Sequence, residues 1–446
     1  MRTKESVALP DETLSYDGHS RGLEKELLFL FGFLGTMPII QIGGFSIFTL
    51  LLCITVLFKL IVTRKIWVRK VCVPYVLIVI CSVCSVVSCL TSSIPEWWKN
   101  AQWTELLWDF FYLFLFLAYT GQRNCHLIIN YMRGVFVGAI FQMVWGYFQF
   151  VSYYIAHIDI NNMIFVKLLN MVPNASQIME ENLKISGMCW NSGNFAPLML
   201  LGYCFGEKSI TKLLFAGMCC MSGSRTLFLG FIAVVVCEFI RTVYNDFFRS
   251  RVRIRRKMVI YAVAILAVIF VGAQNQVVVG KVLGVRDSLS SNVLDSQSSA
   301  RLHARYWTSV PHITKNNSLE KNLLGFGLKS SGYSQVLYYG QYADSKYAWV
   351  VECDFINNLW SRGYLGFILL YSWLFYHFIK GARINYKYGL FFIGLLVEGV
   401  TYNVMFNWCW VFLLFCILYK DGLQCLPSLD YSKKKKGERL FHGNYE

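Results

Sequence analysis

Long apolar runs alternate with short polar breaks along almost the whole chain. A helical run of about 20 residues matches the thickness of a bilayer's hydrocarbon core. The first run, Glu26 to Leu60, is broken by Pro38 and by Gly43-Gly44, and it is too long for one straight span, so it predicts two. Cys72 to Thr91 predicts a third span, Glu105 to Thr120 a fourth and Ile128 to Ala156 a fifth. Trp97, Trp98 and Trp103 precede the fourth as interfacial aromatics of a membrane edge. A polar stretch ending in ISGMCWNSGNFAP leads into span six, about Phe195 to Phe205.

Lys212 to Ile240 fits either one long helix or two short ones meeting at Ser222 to Arg225. The following segment decides between them. Arg241, Arg249, Arg251, Arg253, Arg255, Arg256 and Lys257 form a basic run that belongs in the cytoplasm. With Lys208 and Lys212 also inside, an even number of crossings lies between. The chain therefore turns near Ser222, and Arg225 lies near the outer face. Met258 to Ala273 predicts span nine and Phe355 to Phe378 span ten. Lys380, Arg383 and Lys387 mark an inner loop before spans eleven and twelve, about Gly389 to Thr401 and Met405 to Tyr419.

The expected fold is all-α: one polytopic membrane domain over residues 1–446, with about 12 transmembrane helices. Both termini are expected in the cytoplasm, with a basic tail over 421–446 that includes Lys433 to Lys436. The longest polar stretch, Gln274 to Trp349, predicts a large, partly helical outer loop between spans nine and ten.

Composition agrees with the pattern. Hydrophobic residues make up 56% of the 446 and charged ones 15%, against about 25% charged in soluble domains. The net charge of +16 would point to nucleic acid in a soluble protein, but here cytoplasmic loops facing anionic lipid account for it. Membrane lipids, not nucleic acid, are the expected contact. The 15 Cys are scattered through apolar runs, and Cys81-x-x-Cys84 lies inside a span, where packing explains it better than redox or metal chemistry. The first 26 residues lack the basic-then-apolar order of a cleavable signal peptide. No GxxxxGK[ST], HExxH or GxSxG motif occurs, so nothing in the chain supports ATP-driven work.

The candidate chemistry gathers around the large loop. Arg225 lies beside short apolar helices, where an arginine is either functional or a headgroup anchor. Arg301 and Arg305 are four apart and share a face if SSARLHARYWTSV is helical. Two guanidinium forks on one face suit a diphosphate, whose paired oxygens take bidentate donors; a solvated surface helix is the alternative. His303 falls on another face. Glu352 and Asp354 end the loop and project about 200° apart if helical, so they need not face one site. A Glu-x-Asp pair could help bind a divalent metal. A general base is the preferred role, because partial desolvation at a membrane boundary raises a carboxyl's pKa towards useful base strength. Gly325-Phe326-Gly327 reads as a turn. Glu352, Arg225, Arg301 and Arg305 are the candidate catalytic residues. Asp354, His303, Asn194, Gly325 and Gly327 are candidate substrate contacts, and no resident metal or cofactor is expected.

The order of these features resembles the O-antigen polymerase and ligase family, bacterial membrane glycosyltransferases that act on lipid-linked glycans. Ser186, Gly187, Asn194 and Ala196 resemble its SG…N-x-x-A start of a span, and Ser224-Arg225 its helix break. Arg301 or Arg305, then Trp307, Leu323, Gly325 and Gly327 resemble its Arg…Trp…L-x-G-x-G loop. ECDFINNLWSRGYLGF resembles the segment after the loop, ending at Gly363 and Gly366. The match covers about residues 185–370. Ligases of the family typically carry His-Asn where this chain has Glu352-Cys353, so the resemblance favours a polymerase over a ligase.

The resemblance implies an all-helical membrane bundle in the bacterial cytoplasmic membrane. Donor and acceptor would be oligosaccharide repeat units on polyprenyl diphosphate, joined into O-antigen, capsule or exopolysaccharide, with a flippase and a chain-length regulator as implied partners. A ligase passing the glycan to another acceptor and a transporter flipping lipid-linked glycans are the competing expectations. A transporter would more naturally show internal repeats and broken helices near the midplane.

Overall fold

A computed structural model describes residues 17–42, 45–46, single positions within 51–61, 73–92, 96–119, 125–171, 177–179, 182–189, 191–249, 299–334 and 351–403. These residues are mostly helical. The helices are α1 (Asp17–Gly35), α2 (Val73–Leu90), α3 (Glu96–Tyr119), α4 (Cys125–Tyr154), α5 (Ser192–Phe205), α6 (Ser209–Met221), α7 (Arg225–Arg249), α8 (Ser299–Thr308), α9 (Val310–Asn316), α10 (Leu319–Leu324), α11 (Asp354–Ile384) and α12 (Tyr386–Gly399). Two small antiparallel hairpins join them: β1 (Gln41–Ile42) with β2 (Phe45–Ser46), and β3 (Gln177–Met179) with β4 (Asn182–Lys184). A π-helix covers Asn162–Leu168.

Among the described residues, four helices are long and apolar enough to cross a membrane: α2, α4 over Ile129–Tyr154, α7 over Thr226–Tyr244, and α11. The expected spans nine and twelve, most of span two, the loop residues 274–298 and 335–350 and the tail over 421–446 lie outside the described residues.

The expected breaks have physical causes. α1 stops at Gly35, just before Pro38, and the β1–β2 hairpin follows. The chain also turns at Ser222–Ser224, so Lys212 to Ile240 is two helices. Gly223 takes φ +72°, and the Ser224 hydroxyl accepts the Leu227 N–H at 3.4 Å, capping α7. Several boundaries differ from expectation: α7 runs on to Arg249 and α11 to Ile384, and α3 begins at Glu96 and takes Trp97, Trp98 and Trp103 into the helix. Its polar residues are matched from the loop. Gln102 donates to the Ser330 hydroxyl, and Glu105 pairs with Lys329 at 3.0 Å.

Close backbone approach holds α1 against α4. A Cβ on Gly134 would lie 2.0 Å from the Phe29 carbonyl oxygen, and one on Gly32 would lie 2.1 Å from that of Tyr131. Small residues permit such contacts between membrane helices, where apolar burial alone gives little drive. α5 is buried along its whole length among α4, α6, α7 and α12.

A buried ion pair ties α2, α3 and α11 together. The Arg362 guanidinium donates to both Asp109 oxygens at 2.8 and 2.9 Å, to Asn358 at 2.8 Å and to Ser82 at 3.2 Å. A charge this deep is tolerated because its partners are charged or hydrogen-bonding and well placed. The same helix bends at Gly363, φ +66°, where the end of α10 packs in. A Cβ on Gly363 would lie 2.2 Å from the Leu323 oxygen, and the Phe326 N–H donates to the Trp360 carbonyl at 2.7 Å.

Candidate active site

The site is built on one end of the bundle. Residues 185–189 enter it as a buried tight turn, with Gly187 at φ +59° and the Cys189 N–H donating to the Ser186 carbonyl at 3.0 Å. Such backbone needs internal partners, and α4 supplies them. Gln149 accepts from the Ser186 and Gly187 N–H groups at 3.3 and 3.1 Å, and Gln142 accepts from Met188 at 2.7 Å. Gln142 in turn donates to the Thr36 carbonyl at 2.6 Å, and Asn161 donates to the Gly187 carbonyl at 2.7 Å. Two amide side chains seven apart, on one face of an apolar helix, thus carry the Ser186-Gly187 segment.

The neighbouring turn docks on this segment. The Ile185 N–H donates to the Ser222 carbonyl at 2.9 Å. A Cβ on Gly223 would lie 3.0 Å from the Leu183 oxygen and 3.6 Å from the Lys184 Cα. Arg225, the first residue of α7, therefore starts its helix beside β4.

The loop helix α8 closes over the same end. Trp307 donates to the Val400 carbonyl at 3.1 Å and packs on Phe355, with ring centres 6.0 Å apart. Tyr306 is buried in a small cluster with Ile313, Phe326, Val351 and Trp360. The chain just after α12 joins the remaining pieces. Thr401 and Thr226 share a hydrogen bond of 3.0 Å, and Asn403 donates to the Val351 carbonyl at 2.9 Å. The Tyr402 ring fills the place where Gly193 would carry a Cβ.

Glu352 and His303 meet here. The His303 ring is hydrogen-bonded to the Glu352 backbone carbonyl. Glu352 keeps solvent access, but the protein around it pushes its carboxyl above the ordinary carboxylate range, and Lys184 opposes that rise. Burial pushes the His303 imidazole below its usual value; the bond to Glu352 opposes this, while Lys184 works in the same direction as burial. A carboxylate with raised basicity can take a proton from a hydroxyl.

The other candidates fall into place around this group. The segment carrying Arg301 and Arg305 is helical, so the two lie one turn apart on α8. The side chains of Arg225 and Arg301 lie outside the described residues, and Arg305 is half-buried. Asp354 turns the other way from Glu352. It is fully buried, and a Cβ on Gly399 would lie 3.4 Å from its Oδ2. Beside it stands Glu398, also fully buried, with neither carboxyl oxygen hydrogen-bonded. Asn194 is buried in the first turn of α5, its N–H bonded to the Asn191 cap at 2.8 Å. Gly325 and Gly327 are taken up in packing: a Cβ on the first would meet Gly363 at 2.6 Å, and one on the second would meet Cys89 and Gln102, each at 2.6 Å. Arg362 pairs with Asp109, away from Glu352.

The opposite end differs in character. Lys212 pairs with Glu238 at 3.1 Å, and Tyr203 donates to the same carboxylate at 3.0 Å. The Arg241 guanidinium stacks 3.2 Å from the centre of the Tyr386 ring. The cations that charge asymmetry assigns to the cytoplasm thus lie at the far end of the bundle from Glu352.

Sequence reasoning missed Lys184, Gln142, Gln149 and the Arg362–Asp109 pair. Each left a trace: a cation just before the Ser-Gly motif, amides recurring every seven residues in an apolar run, and opposite charges in two different spans. No family model and no curated protein matches this chain.

Proposed function

We propose that this protein is a membrane glycosyltransferase that polymerises polyprenyl-diphosphate-linked oligosaccharide repeat units into a surface polysaccharide at the outer face of the bacterial cytoplasmic membrane. The observation that carries the reading is convergence. Four segments far apart in sequence, 185–189, 222–225, 299–308 and 351–354, meet at one end of the bundle. They are the segments in which the resemblance to the O-antigen polymerases lies.

The chemistry follows from the side chains. Glu352 takes the proton of the acceptor sugar hydroxyl, and that oxygen bonds to the anomeric carbon of the donor. The bond from the anomeric carbon to the diphosphate breaks, and its electron pair leaves with the lipid diphosphate. Arg225, Arg301 and Arg305 stabilise the charge that develops there. The donor bond is already activated, so no nucleotide is required. The apolar helices hold the lipid tails.

Purified protein in liposomes, supplied with lipid-linked repeat units on the face that carries Glu352, tests the reading. It predicts products lengthened by whole repeat units. Translocation without lengthening would make the protein a transporter, and transfer to a different acceptor lipid would make it a ligase.

A further inference from the structure

The chain that follows α4 turns back along it. His157, at φ +56°, lies in the reversal, and the Ile158 N–H donates to the Ser152 carbonyl at 2.8 Å. The returning segment carries the π-helix at Asn162–Leu168 and packs on Trp145 of α4. The Trp145 indole donates to Asn161 at 2.8 Å, and the Phe165 ring centre lies 6.1 Å from that of Trp145. Trp145 stands nine residues before Tyr154, the end of the span Ile129–Tyr154. That is about 13 Å back along the helix axis, at 1.5 Å per residue. The 26 residues of the span exceed the roughly 20 that a hydrocarbon core needs by only a few at each end. The returning segment therefore reaches the depth of the hydrocarbon.

Its surface and its backbone suit that depth. Val137, Phe141, Val144, Phe148 and Val151 are exposed at alternating steps of four and three, a lipid-facing stripe along α4. Ile155 and Ile158 carry the same spacing past the helix end, 72% and 44% exposed. Met163, Leu168 and Leu169 are exposed on the returning segment. Backbone among lipid tails has to be paired internally. Here the Met163 N–H donates to the Asp159 carbonyl at 2.9 Å, Asn162 to the Asp159 side chain at 3.1 Å and Leu169 to the Ile164 carbonyl at 2.9 Å. Lys167 is the one charged residue of the π-helix, and its long stem can carry the ammonium to the headgroups.

We propose that residues 155–169 form a re-entrant element whose exposed apolar side chains lie among the acyl chains of bilayer phospholipid, bracing the Ser186-Gly187 turn from the lipid side. The brace is Asn161, which accepts from Trp145 and donates to the Gly187 carbonyl at 2.7 Å, while Phe165 shares an apolar cluster with Met188. The occupant is bulk lipid, because this surface prolongs the one that α4 presents to the bilayer. Apolar side chains gathered at the end of a span would otherwise stand in water or need a protein partner. The inference holds whichever reaction the site performs.

Wild-type protein in phosphatidylcholine–phosphatidylglycerol vesicles tests the lipid contact, with a tracer phospholipid that carries a diazirine on its acyl chain. After photolysis, peptide mapping should find adducts on residues 155–169 at yields comparable with those on Val144 to Val151, and none on α9. Hydroxyl-radical footprinting of the same vesicles should leave Met163 unoxidised while the exposed His312 of α9 reacts. Oxidised Met163 without lipid adducts would place the element in water, and neither mark would place it against protein; either result overturns the proposal. Hydrogen exchange of the 185–189 amides reads the brace separately. Leu168→Asp with Leu169→Asp drives the element out of the hydrocarbon. It should speed that exchange several-fold while the amides of α2 stay protected. Unchanged exchange in a variant that has lost its lipid adducts would overturn the brace.

Discussion

At the scale of single residues, the proposed transfer depends on the charge state of a few groups. In its proposed role Glu352 acts as a base only when ionised, and desolvation raises its carboxyl above the ordinary range. Chain extension should therefore fall as pH drops through a value above that of a free glutamate side chain, and recover as pH rises. A pH–rate profile in proteoliposomes checks this; a limb at or below the free-glutamate value would count against it. The arginines give a second expectation. Ala at Arg225, and at one or both of Arg301 and Arg305, abolishes extension in protein that still inserts. Lys rescues poorly, because a point charge cannot reproduce a bidentate fork. Full activity of the triple Lys variant, measured by product length, would remove the diphosphate role.

At the scale of elements, buried polar contacts hold the site. Gln149 accepts two backbone N–H groups of the Ser186-Gly187 segment, so Gln149→Leu strands both donors. The expected loss is about 1–3 kcal/mol for each stranded group. It should appear as a lower midpoint of thermal unfolding in detergent, together with lost activity. The Arg362–Asp109 pair makes a different prediction. Removing one partner leaves a buried charge and costs about 3–5 kcal/mol, whereas Asp109→Leu with Arg362→Met together recovers much of that loss. Thermal unfolding of the two single variants and the double variant reads the coupling.

These elements also show what the sequence could reveal. The turn at Ser222 was legible, because charge on both sides of Lys212 to Ile240 allowed only an even number of crossings. The helix carrying Arg301 and Arg305 was only a condition of the reading, since two arginines four apart share a face only if the stretch is helical. The role of Gln142 and Gln149 was not, because their partners are backbone groups some 40 residues away in the chain. Nor was the inward turn of Asp354, which depends on how closely α12 approaches α11 at Gly399. Periodicity fixes which face of a helix a residue lies on, but not what packs against that face.

At the scale of the whole molecule, the two ends of the bundle carry different chemistry. The end with Lys208, Lys212 and Arg241 is expected in the cytoplasm, and the end with Glu352 and α9 outside. Asn316 on α9 and Ser209 at the start of α6 are both exposed and belong to opposite ends. With native cysteines removed, a membrane-impermeant thiol reagent applied to intact cells should label Asn316→Cys. It should reach Ser209→Cys only after lysis; the reverse pattern overturns the orientation.

The central claim is that the end of the bundle holding Glu352 performs glycosyl transfer. The most direct test compares products of the wild type and Glu352→Gln in liposomes loaded with lipid-linked repeat units. Glutamine keeps the shape of the side chain and removes the base. The wild type should give a ladder of lengthened chains. The variant should bind donor and give only single, unextended units. A normal ladder from Glu352→Gln would contradict the claim.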